Sequence, residues 1–151
     1  MSVALNGVQG EMTAVQVDSG TGKPVVPQNL LLISAGIGIT PNMALVRGVG
    51  AFELQGRTRI TMIHVERYEK DLIFQNELSR RSQNYPSFKY SNVISSEQGR
   101  LNLQQLRQLV IDAELQHAYL CGPTQFMSDM TDQLVAIGVL PGNIHTESFE
   151  F

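Results

Sequence analysis

A repeated alternation constrains this chain more than any other feature: a short apolar run, then a turn, then a segment with helical periodicity. The first run is Leu30-Leu31-Leu32-Ile33-Ser34, followed by the glycine turn Ala35-Gly36-Ile37-Gly38-Ile39. A continuous apolar run of this length suits a strand buried on both faces. Further strands are expected at Ile60–Val65, Phe88–Ile94, Ala118–Cys121 and Ile144–Phe149. Between them, Leu45, Val49 and Phe52 share one helical face, as do Phe74 and Leu78 after a cap at Asp71. Asn102 reads as the cap of a helix bearing Leu103, Leu106 and Val110. Thr124 opens a helix carrying Met127, Met130, Leu134 and Ile137, and Gly138 closes it. The pattern predicts an α/β fold: a doubly wound, five-stranded parallel sheet with helices on both faces. Right-handed crossovers then bring all strand C-termini to one edge, where such sheets bind ligands.

With 151 residues, 42% hydrophobic and 17% charged, the chain can bury a core and does not read as disordered. A net charge of -3 with no basic run argues against nucleic acid as a partner. The apolar stretches are too short for a transmembrane segment. No basic-then-apolar leader opens the sequence, so a cytoplasmic location is expected. Cys121 is the sole cysteine, which leaves no disulfide, four-cysteine zinc site or iron–sulfur cluster within these residues. The histidines His64, His117 and His145 lack metal-ligand spacing and read as packed or surface residues. Gly-x-Ser-x-Gly and Walker motifs do not occur, so acyl transfer and nucleotide hydrolysis lack their usual parts.

Three segments carry candidate chemistry. In Gly36-Ile37-Gly38-Ile39-Thr40-Pro41, the glycines admit a ligand close to the backbone, and Thr40 and Pro41 read as the N-cap and first residue of a helix. The helix N-terminus offers a positive end to a diphosphate, although a tight turn without a ligand explains the same residues. On the first reading, a branched side chain at Gly38 would block the diphosphate without touching the core. Cys121-Gly122-Pro123-Thr124 repeats the strand-to-helix arrangement, and its cysteine fits equally well as a small buried residue. In the final run Ile144–Phe149, alternation places His145, Glu147 and Phe149 on one face, as a site or as a frayed end.

Taken together, the segments resemble the NAD(P)H-binding domain of the ferredoxin–NADP reductase superfamily, in the form found in flavohaemoglobins and in oxygenase and Hcp-type reductases. The resemblance rests on Ser34 to Pro41; on Arg67, Asp71, Phe74, Glu77 and Leu78; on Tyr119 to Pro123 with Phe126 and Met127; and on Asn143 to Phe149. It implies a domain at 29–151 that takes NADH or NADPH and delivers hydride to FAD. Gly36, Ile37, Gly38, Thr40 and Pro41 would form the nucleotide loop, with Thr40 near the nicotinamide. Cys121, Gly122 and Pro123 would lie beside that ring, Glu147 would be the active-site carboxylate, and Phe149 would approach the flavin. Arg67 and Ser95, with Ser96, Glu97 and Gln98, would flank the adenosine end.

The implied partners are an FAD-binding domain and a downstream electron carrier: a ferredoxin, haem or iron–sulfur protein. The family's flavin barrel carries an Arg-x-Tyr-Ser/Thr motif that does not occur here, while Val3 to Met12 looks like that barrel's last strand and turn. Residues 1–28 are therefore expected to be a barrel remnant plus linker, and the chain an excised or late-starting piece, inactive alone. The alternative is a domain of this descent that binds a nucleotide or a protein and catalyses nothing.

Overall fold

A computed structural model of the chain describes residues 16–17, 20–22, 24–50 and 56–148. The first described elements, β1 (Gln16–Val17) and β2 (Pro24–Val25), pair antiparallel. The main sheet consists of β3 (Asn29–Ala35), β4 (Arg59–Glu66), β5 (Phe88–Ile94), β6 (His117–Gly122) and β7 (Ile144–Ser148). All its pairings are parallel and the order is β5-β4-β3-β6-β7. The expected doubly wound sheet is present. Strand order reverses between β3 and β6, so the crevice at their carboxyl ends is the ligand position favoured by this topology.

Strand alternation divides the core into two layers. On one face Leu30, Leu32, Ile60, Met62, Phe88 and Tyr119 pack with Leu45 and Val49 of the α1 region (Ile39–Gly48) and Leu78 of α2 (Gln75–Asn84). On the other, Leu31, Ile33, Ile63, Ala118 and Leu120 meet Leu106 of α4 (Leu103–Leu109) and Met127, Met130 and Leu134 of α5 (Thr124–Ile137). A single helical turn, α3 (Ser95–Gln98), follows β5. The central strand β3 meets both layers, and Leu30 to Ile33 have no exposed surface. That is why its sequence shows no polar alternation.

Two helix starts differ from the sequence reading. A 3₁₀ turn, Gly36–Gly38, runs directly into α1, so Thr40 is the second helical residue and not the N-cap; no side chain caps this helix. Asp71 ends a separate 3₁₀ turn, and α2 starts behind Phe74, whose φ of 61° is left-handed. The ring of Phe74 packs on the α1-side core with the Arg47 guanidinium 5.3 Å from its centroid, contacts that accompany a conformation unusual for a bulky residue. Asn102 does cap α4, in a reciprocal pair with Gln105. Phe52, Val3 to Met12 and Phe149 lie outside the described residues.

Candidate active site at the carboxyl edge of the sheet

The turn from Gly36 to Gly38 touches β3, β4 and β6 and forms the roof of the crevice. Its two glycines serve different needs. Gly36 has φ +58°, and a Cβ there would meet nothing within 4 Å. Gly38 is buried, and a Cβ there would overlap the Cys121 carbonyl and lie 3.0 Å from the Gly122 nitrogen. The expectation that a branched side chain at Gly38 spares the core is therefore wrong: this glycine lets the turn rest on the backbone of β6. Asn42 adds a second tie, donating from Nδ2 to the Tyr119 carbonyl at 3.4 Å. Both contacts hold the N-terminus of α1 over the end of β6.

Beside the turn, Cys121 pairs in register with Ser34 on one side and Glu147 on the other. Cys121 has no exposed surface; burial, with the Glu147 charge adding to it, pushes its thiol up to about 12. It is therefore a neutral thiol at physiological pH and not a thiolate nucleophile. Desolvation also raises the Glu147 carboxyl, whose Oε2 is buried without a hydrogen-bond partner. Tyr119 and His145 stack with centroids 4.8 Å apart, extending the same face toward β7.

At the opposite end of the edge, the Ser96 N–H donates to the Arg67 carbonyl at 3.0 Å, joining the segment after β4 to the turn after β5. Arg67 is exposed, 5.4 Å from the Tyr68 ring centroid, and Ser95 is half-buried. Ile37 is 55% exposed on the turn; Thr40 and Pro123 are exposed, and Pro41 and Gly122 are buried. The candidate residues thus form two groups: the Gly36 turn with Cys121, Gly122 and Glu147, and Arg67 with Ser95. Five strands at about 4.8 Å spacing make an edge about 19 Å long, suited to an extended ligand. Open space over Gly36 and an uncapped helix N-terminus fit the diphosphate of a dinucleotide.

A polar group absent from the sequence reading lies under this edge. Ser34 Oγ is 2.8 Å from His64 Nδ1, and His64 Nε2 is 3.1 Å from Glu66 Oε2. Burial lowers the His64 pKa to about 4, its hydrogen bond to Ser34 opposing only part of the effect. His64 and Glu66 are therefore joined by a hydrogen bond and not an ion pair at neutral pH. The sequence held a signal for it: His64 and Glu66 are two apart in one strand and so share a face. The register that adds Ser34 was not readable.

Residues 32–132 match the family model described as oxidoreductase NAD-binding domain. The ferredoxin reductase component of a 3-ketosteroid-9-alpha-monooxygenase from Rhodococcus rhodochrous is 28% identical, over 95% of this chain and 41% of its own length. Flavohemoprotein A of Dictyostelium discoideum is 30% identical, over 80% of this chain and 30% of its own length. The chain therefore spans less than half of either relative. The crystal structure of a flavohemoglobin from Malassezia yamatoensis, with bound FAD and heme, superposes with a TM-score of 0.73 at 28% identity, covering 93% of this chain and 35% of that one. Sequence, sheet order and these matches agree that the chain belongs to the oxidoreductase NAD-binding domain family.

Proposed function

We infer that the chain is the pyridine-nucleotide half of a flavin reductase, binding NADH or NADPH along the carboxyl edge so that hydride can pass to FAD held by another domain. The observation that carries this reading is the Gly36–Gly38 turn, set at the strand-order reversal with Cys121 and Glu147 side by side next to it. Reduced nicotinamide supplies the hydride. The residues supply placement and electrostatics.

In this reading Gly36, Ile37, Gly38 and Pro41 form the loop that takes the diphosphate at the α1 N-terminus, with Thr40 near the nicotinamide. Cys121, a neutral thiol, packs with Gly122 and Pro123 beside the nicotinamide. Glu147, in register beside Cys121, is the carboxylate next to the reacting ring, and Phe149, outside the described residues, approaches the flavin. Arg67 and Ser95 flank the adenosine ribose. NADH is the favoured nucleotide: Arg67, Ser95 and Ser96 would suit a 2′-phosphate, but the acidic Glu66 and the exposed Glu97 weigh against one. Residues 29–151 form this domain and residues 1–28 the end of a flavin barrel with its linker. The electron acceptor beyond FAD is a ferredoxin, haem or iron–sulfur protein, and the compartment is the cytoplasm.

Calorimetric titration with NADH and NADPH tests binding, with NADH expected to bind more tightly; no binding of either would refute the reading. In the chain joined to its FAD domain, Cys121→Ala and Glu147→Gln should slow flavin reduction by about tenfold or more, a barrier increase of at least about 1.4 kcal/mol. Nucleotide affinity should change far less. Wild-type stopped-flow rates in both variants would make the two residues structural.

A further inference from the structure

Ser34 and His64 take no part in the contacts assigned above, yet they are linked to each other and to Glu66 by two hydrogen bonds beneath the turn. Ser34 and His64 have no exposed surface. A ring this deeply buried needs a partner at each nitrogen, and having both fixes its orientation. While Glu66 is ionised, Nε2–H donates to the carboxylate and Nδ1 accepts the Ser34 hydroxyl proton. The state of a side chain at the end of β4 thereby sets the hydroxyl of Ser34, two residues before the 3₁₀ turn starts.

The turn contacts both strands flanking β3. On the β6 side it is fixed by Gly38 against the Cys121 carbonyl. On the β4 side, His64 stands opposite Ser34 in register. We propose that the Ser34–His64–Glu66 chain is a positioning device for the nucleotide loop, holding the end of β3 in the geometry that lets the dinucleotide bind. Ser34 and His64 are positioning residues; neither reaches the ligand. The proposal rests on reading Gly36 to Pro41 as the nucleotide loop.

The competing account is that the chain only satisfies buried polar groups. That role would alter stability and leave the affinity of the folded protein untouched. Calorimetric NADH titrations of wild type, Ser34→Ala, His64→Leu and His64→Asn, with folding checked by circular dichroism, separate the two. The side-chain carbonyl introduced by His64→Asn can still accept from Ser34.

Ser34→Ala and His64→Leu should weaken NADH binding about tenfold, equal to about 1.4 kcal/mol, while His64→Asn stays within about threefold. If His64→Leu does not fold, Ser34→Ala against His64→Asn carries the comparison. Wild-type affinity in Ser34→Ala, whatever its melting temperature, would overturn the positioning role and leave the reading of the site intact. Failure of the wild-type chain to bind NADH or NADPH would remove both.

Discussion

Gly36 and Gly38, two residues apart in one turn, should respond differently to a side chain. At Gly36 the only cost is the left-handed backbone, so Gly36→Ala should lose about 1 kcal/mol of stability. At Gly38 a Cβ overlaps the backbone of β6, and Gly38→Val should lose about 3 kcal/mol, read as a large drop in Tm. Equal losses would contradict the packing described. His64 gives a second prediction. Its folded pKa, about 4, is below the ordinary 6.5, so the unfolded chain binds more protons between these values. Stability is therefore full above about pH 6.5 and falls as pH drops toward 4, by on the order of 3 kcal/mol for the isolated group. The Glu66 carboxyl, raised by desolvation and by Asp71, acts in the opposite sense just above its unfolded value and offsets a part. Denaturant melts across this range should show the slope in wild type and a flatter one in His64→Asn.

The short helix α4 depends most on its ends. It has seven residues, and its N-terminus is closed by the reciprocal Asn102–Gln105 pair. Asn102→Ala should cost about 1 kcal/mol, measurable by urea denaturation, whereas cutting the exposed Arg47–Glu77 pair that links α1 to α2 should cost less. Elements of this kind were legible in the sequence because the cap, the apolar period and the following break are all local. The strands were legible for the same reason: Leu30 to Ile33 could only be a core strand. The starts of α1 and α2 were not. Thr40-Pro41 resembles a cap and first turn, but packing on β6 draws the preceding glycines into a 3₁₀ turn. Phe74 takes a left-handed conformation in contact with Arg47, a residue from another helix. The Ser34–His64 contact depends on which strands become neighbours, which local pattern does not encode.

At the scale of the whole molecule, the proposed function gives the described residues one side of a reaction that needs two. In that reading a hydride acceptor must be held within contact distance of the edge formed by the Gly36 turn, Cys121 and Glu147. The 151 residues by themselves should bind nucleotide weakly and show no NAD(P)H:ferricyanide turnover, with or without modest added FAD. Stoichiometric FAD in the purified chain, or robust turnover, would count against this division of labour. The contact between Gly38 and Cys121 has a consequence for assembly. The turn is adjacent in sequence to β3, yet its seat is β6, which pairs with β3 only across the whole intervening β4–β5 layer of chain, Leu30 lying opposite His117. A fragment ending before β6 would contain every residue of the glycine motif and lack the surface that shapes it. Binding competence therefore depends on a pairing of long sequence separation, and only a chain that includes β6 can shape the loop.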